Sequence, residues 1–308
     1  MNTLSACRKL FEQHGHPILS EAFPEIMDTI AAARIGGGSD VLGANDKYSR
    51  DGDWGATFDL FLPDVEYAEF GQSIREVLQE SLPPYFEGFP TASGGGPKIG
   101  VYSLRGYLRE RLGLSHFPET QTQWLKVPES ALCGFTNGEV FFCPSGQLTE
   151  IRRKYESYYP SDVWKVHIAR AVYTCWFYGE NSYGPRLARR GDQLTAMVAR
   201  GVFCRSAMQL VFLLNREYAP YWKWLHWRFV ALPKYASPMD PMLHRIVLSD
   251  DLEEQAAIIE DVCVYLKDAI RNSGVVEEGA RMEYMGAYDI MRTLGDPELA
   301  RQPLRTSD

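Results

Sequence analysis

The sequence predicts an α+β protein: a small mixed sheet with helices in residues 1–150, then an all-helical bundle in residues 151–308. Three observations carry this expectation. Short aromatic and aliphatic runs bounded by Gly and Pro, the mark of buried strands, recur as far as Cys143 and then stop. From Pro160 onward the apolar residues return at three- and four-residue steps, which gather them on one helix face. The 308 residues are 45% hydrophobic and 23% charged, enough to bury a sizeable core and to exclude a disordered or fibrous chain.

Taken in order, residues 4–14 and 18–33 read as helices, the second with Leu19, Phe23, Ile26, Ile30 and Ala33 on one face. The texture then changes. Residues 35–55, IGGGSDVLGANDKYSRDGDWG, are rich in residues that tolerate tight turns, and lead into the strand TFDLFL, ended by Pro63. Residues 66–82 read as a helix, 84–97 as a turn-rich connection that includes Gly94, Gly95, Gly96 and Pro97, and Ile99–Ser103 as a strand before a helix. Gly138–Cys143 is a further strand. Ser161 is expected to cap a helix running through Trp176, with Asp162 in its first turn; residues 192–217 form an apolar helix or helix pair. Ser249-Asp250-Asp251 opens a last long helix that Asn272-Ser273-Gly274 closes.

The net charge of −8 is unevenly distributed: −9 over residues 1–150, +8 over 151–250 and −7 over 251–308. This disfavours long nucleic acid as a partner. The basic stretch faces an anionic ligand, the chain's own acidic parts, or solvent alone, and the acidic helix 251–271 packs on that stretch or on a second copy in a homo-oligomer. The six cysteines show no C-x-x-C spacing, the N-terminus lacks an unbroken apolar core, and no long uncharged apolar window follows. A reduced, cytoplasmic protein without a membrane span is expected.

The chemistry concentrates in the glycine-rich loop. Gly38-Ser39 offers backbone N–H groups and a hydroxyl that can approach a phosphate closely. After eleven intervening residues stand Asp51 and Asp53, whose carboxylates point the same way if the backbone there is extended and can then share one divalent cation. Together they describe a site for a metal-bound triphosphate. The competing reading is a surface loop whose Asp residues only cap turns.

This arrangement, G-S followed at that distance by D-x-D ahead of a strand, resembles the DNA polymerase β-like nucleotidyltransferase superfamily. Tyr158–Trp164, Arg190-Gly191-Asp192 and Tyr218–Leu225 look like segments of a bacterial branch with a helical C-terminal domain. The resemblance implies a metal-dependent transferase that moves a nucleoside monophosphate from an NTP, ATP foremost, to a hydroxyl of a small-molecule acceptor, releasing pyrophosphate. Asp51 and Asp53 would then hold Mg2+, and Gly38 and Ser39 would cradle the phosphates. The superfamily commonly adds a third carboxylate on a later strand, but here that strand ends in Cys143, a poor Mg2+ ligand. Asp59 is the alternative, with Glu139 and Glu150 behind it. If none serves, the chain is a catalytically impaired nucleotide- or ligand-binding relative or an interaction partner; an enzyme of other chemistry on this scaffold is the remaining possibility.

A leaving pyrophosphate needs cations, and the basic block offers Arg152, Arg153, Lys154, Arg186, Arg189, Arg190 and Lys223. Lys223 and Arg190 are the chosen candidates. Lys223 can equally lie over its flanking tryptophans, and Arg190 can simply pair with Asp192. Trp222, Trp224 and Trp227 offer stacking surfaces, although helix packing is expected to absorb at least two of them. The six histidines show no ligand spacing of the H-E-x-x-H kind and are assigned no metal.

Overall fold

The computed structural model describes residues 2–305 except 45, 51–53 and 94–95. The chain divides into two units, one of residues 1–119 and 126–157, the other of residues 120–125 and 158–308. The expected boundary at 150 falls inside a helix, Gln147–Glu156, that stays with the first unit.

In the first unit, helices α1 (Thr3–Leu10) and α2 (His16–Ala22) join through a wide turn. Strand β1 (Ala31–Arg34) follows, then the loop, strand β2 (Asp59–Leu62) and helix α3 (Asp64–Ser81). Two small hairpins, β3 (Tyr85–Phe86) with β4 (Phe89–Pro90) and β5 (Ala92–Ser93) with β6 (Gly96–Pro97), fill the turn-rich connection. Strand β7 (Gly100–Ser103), helix α4 (Leu104–Leu112), helix α6 (Glu129–Thr136), strand β8 (Glu139–Phe142) and helix α7 (Gln147–Glu156) complete it, while α5 (Gln121–Trp124) belongs to the second unit. The main sheet runs β7-β2-β1-β8; β1 is antiparallel to β2 and β8, and β2 is parallel to β7. The α+β class is as expected, with the mixed sheet confined to the first unit.

The helix expected over 18–33 is not formed as such. It stops at Ala22 because the residue before Pro24 is pushed out of the helical region, and Phe23 takes φ −140°, ψ 55°. A single 3-10 turn (Pro24–Ile26) then leads to β1. Ala31, Ala32 and Ala33 make a strand against their helix propensity because the sheet's centre buries all three between β2 and β8. One sheet face carries Leu60 and Leu62, which pack with Leu10, Phe11, Leu19, Ile26 and Ile74. The opposite face carries Phe61, whose ring meets Tyr107 edge-on at 4.9 Å.

The second unit is helical: α8 (Ser161–Tyr178), α9 (Gln193–Asn215), α10 (Trp222–Phe229), α11 (Ala236–Leu248), α12 (Leu252–Asn272), α13 (Ala287–Arg292) and α14 (Pro297–Ala300). Helix α9 is long and apolar enough to cross a membrane by length and composition, and half of its most apolar window is buried. Ser161 does not cap α8; it lies inside the first turn, and Asp162 instead accepts the N–H groups of Gly295 and Asp296, each at 2.8 Å. The acidic helix α12 packs on α9 and α11, and Lys267 pairs with Glu180 at 2.7 Å. Tyr158–Trp164 and Tyr218–Leu225 meet in the core, the rings of Tyr158 and Tyr218 lying 4.7 Å apart.

Arg152 was a candidate cation for phosphate, but its guanidinium is spent inside the fold. It is buried and donates to the carbonyl oxygens of Phe135, Thr136 and Asn137 at 3.0–3.1 Å, closing the C-terminal end of α6. Arg152→Met keeps the stem and strands these acceptors. It should lower unfolding stability by about 2–4 kcal/mol, read as a lower urea midpoint at unchanged slope.

Candidate functional site

The loop leaves the sheet at Arg34 and returns at Asp59, and Ala33 and Asp59 are register partners. Both ends of the excursion therefore lie at one end of the β1–β2 pair. The entry is fastened by Gly36 N–H to Gly134 O (2.9 Å) and Gly138 N–H to Val41 O (3.1 Å). The return is held by Ala56 N–H to Pro90 O (3.0 Å), Thr57 Oγ1 to Lys98 O (2.6 Å) and Lys98 Nζ to Trp54 O (2.8 Å). Thr57 N–H also donates to the Cys7 sulfur at 3.3 Å, and burial pushes that thiol up to about 11. The guanidinium of Arg50 lies 5.1 Å from the ring centre of Trp54, so the residues flanking 51–53 touch.

An ion cluster braces the turn. Arg34 grips Asp40 with two bonds, Nε to Oδ2 at 2.6 Å and Nη2 to Oδ1 at 2.9 Å, and its Nη1 lies 3.7 Å from Asp59 Oδ2. The other Asp59 oxygen accepts Gly100 N–H at 3.2 Å. Gly100 is required by this approach, since a Cβ there would stand 2.4 Å from Asp59 Oδ1. Burial opposes the Arg34 charge, but Asp40 and then Asp59 outweigh it and raise its pKa. Burial also dominates at Asp59, whose carboxyl is pushed up to about 6 although Arg34 and the Gly100 N–H favour its charged form.

Gly38, at φ +136°, sits against this cluster; a Cβ on it would come within 2.4 Å of Asp40 Oδ1 and 2.7 Å of Arg34 Nη2. Among the described residues, no bond to the N–H groups of Gly37, Gly38 or Ser39 is formed, while the Ser39 carbonyl accepts Ala44 N–H at 2.8 Å. Asp51 and Asp53 lie outside the described residues. Asp59, Gly38 and Ser39 share one end of the sheet, with Asp59 in an ion pair. Glu139 is the register partner of Arg34 across β1–β8, and its carboxylate is engaged by Arg8 at 2.5 Å. Glu150 is exposed and pairs with Lys154 at 2.9 Å.

Arg190 and Lys223 belong to the second unit, and both are exposed. Lys223 Nζ lies 5.6 Å from the Trp224 ring centre. Asp192 caps α9, accepting the Thr195 hydroxyl at 2.6 Å and the Thr195 N–H at 3.1 Å, and these bonds hold its pKa down, with the nearby Arg190 charge a smaller contribution. Of the three tryptophans only Trp224 is core, with its Nε1 donating to Tyr221 Oη at 2.7 Å. Trp222 and Trp227 fall off the narrow buried face of this short helix, contrary to the expectation that packing absorbs at least two. Arg34 and Asp40 were not singled out from the sequence. Their signal is a lone charge at the end of an alanine run and a carboxylate just past the glycines.

Residues 124–225 match the family model described as a domain of unknown function, DUF4037. No curated protein matches the sequence. The chain is structurally similar to a nucleotidyltransferase-like protein from Exiguobacterium sibiricum, at a TM-score of 0.42 and 14% identity, over 93% of this chain and 81% of that one.

The raised Asp59 pKa fixes a sign. The folded state keeps this proton to higher pH than the unfolded chain, so the group's contribution to stability is complete below about pH 4 and is lost as pH rises through about 6. The stability of the wild type minus that of Asp59→Asn should fall by roughly 2–3 kcal/mol between pH 4 and 7, measured by urea unfolding. A difference independent of pH would overturn the assignment.

Proposed function

We propose that the chain is a Mg2+-dependent nucleotidyltransferase that moves a nucleoside monophosphate from an NTP, ATP foremost, to a hydroxyl of a small acceptor. The observation that carries this is the turn at Gly38. It leaves no room for a Cβ, is braced by the Arg34–Asp40 pair, and stands where β1 ends and β2 begins. A cradle that only glycine can form suits a phosphate group brought against backbone N–H groups. Arg34 also neutralises Asp40, which would otherwise repel that phosphate.

In this reading Asp51 and Asp53 hold the cation, which when bound would offset the charge of the triphosphate. Gly38 and Ser39 receive the phosphates. The acceptor oxygen bonds to the α-phosphorus in line, the bridge to the β-phosphate breaks, the hydroxyl proton passes to solvent water and pyrophosphate leaves with the bridging electron pair. Asp59 acts as a positioning residue: by engaging Arg34 and the Gly100 N–H it fixes the guanidinium that shapes the turn. A second reading, nucleotide binding without turnover, is favoured by the engagement of Glu139 with Arg8 on the strand where a third carboxylate is expected.

The test is pyrophosphate release from the full chain with Mg2+, each NTP and a panel of hydroxyl acceptors. Asp51→Ala and Asp53→Ala should each reduce release by about 100-fold or more. Binding without release selects the second reading. Neither binding nor release across the panel overturns both.

A further inference from the structure

The sequence assigns the histidines no metal, yet the fold brings two of them to one carboxylate. Helix α10 presents His226, and α11 presents Asp240 and His244, four residues apart and so on one helix face. His226 Nε2 lies 2.7 Å from Asp240 Oδ1, and His244 Nε2 lies 3.6 Å from the same oxygen. One donor atom from each of the three residues falls within 4.8 Å of the others. The two imidazole rings meet edge-on, 5.2 Å between centres at 85°.

A hydrogen bond accounts for the His226 contact and leaves the rest of the arrangement unexplained. At 3.6 Å the His244 nitrogen is beyond hydrogen-bond range of Asp240, although its ring is turned to the same oxygen. An ion uses all three atoms at once. At bond lengths of about 2.0–2.2 Å, tetrahedral coordination sets ligand atoms about 3.3–3.6 Å apart, a separation that small rotations of surface side chains supply. The three residues are exposed or half-exposed, so water can reach the ion and complete its shell. Two imidazoles with one carboxylate select a transition-metal ion over Mg2+, which prefers oxygen ligands throughout.

We propose that His226, Asp240 and His244 form a binding site for a divalent transition-metal ion of the zinc class. The ion would clip α10 to α11 across the connection at residues 230–235, and would hold the aromatic helix Trp222–Phe229 in place. The site is separate from the carboxylates assigned to Mg2+ above and does not depend on that assignment.

The test is calorimetric titration of the chelator-treated full chain with Zn2+ in excess Mg2+, together with thermal unfolding. The wild type should bind one Zn2+ at this site in the micromolar range or tighter, with Tm rising by several degrees. His226→Ala and His244→Ala should each weaken binding by about tenfold or more and abolish the Tm shift, while circular dichroism stays unchanged. Asp240→Asn should also lose affinity, although its amide oxygen can still accept from His226; that separates coordination from simple pairing. Absence of saturable binding, or affinity unchanged within about twofold in both histidine variants, overturns the site.

Discussion

The first unit turns on a single guanidinium. Arg34 ends the central strand, and at that point two carboxylates, Asp40 from the loop and Asp59 from the neighbouring strand, are taken out of water. Buried carboxylates persist only when paired, so the end of β1, the glycine turn and the start of β2 must come together to satisfy one cation. The geometry propagates outward. Asp59 needs the Gly100 N–H, which sets how closely β7 approaches β2, and Asp40 needs a turn tight enough that position 38 can carry no side chain.

Much of this fold was legible in order. The strands ending at Leu62, Ser103 and Phe142 follow from short apolar runs with flanking breakers, and the acidic helix from Asp251 to Asn272 from its cap and period. The central strand was not legible, because three alanines match any periodicity and their strand state comes from being enclosed between neighbours. Pro24 was the available sign that the preceding helix ends early. At the loop, the glycines and acids advertised a site, but the Arg34–Asp40 brace is a tertiary pairing across a turn and leaves no periodic trace. The approach of His226 to Asp240 and His244 is hidden for the same reason: only the i,i+4 pair lies on one element.

The segments that carry the family resemblance do different physical work in the two units. In the helical unit, Tyr158, Tyr159, Trp164 and Tyr218 interlock, and the Trp164 indole donates to Leu213 O at 2.8 Å with Arg216 stacked over its ring. Those residues specify packing. In the first unit Gly38 sits in an irregular turn braced by a buried ion cluster. Such a cluster is a weak source of stability and a strong source of shape.

The path of the chain adds a constraint on dissection. Helix α5 interrupts the first unit in sequence but belongs to the second, where Trp124 packs edge-on against Tyr159 at 5.7 Å. A fragment beginning at Tyr158 would carry Tyr159 without that partner, while one ending at Ser157 would carry an indole made for another core. The two units are thus threaded through each other in sequence, and neither can be released by a single proteolytic cut with all of its own residues aboard.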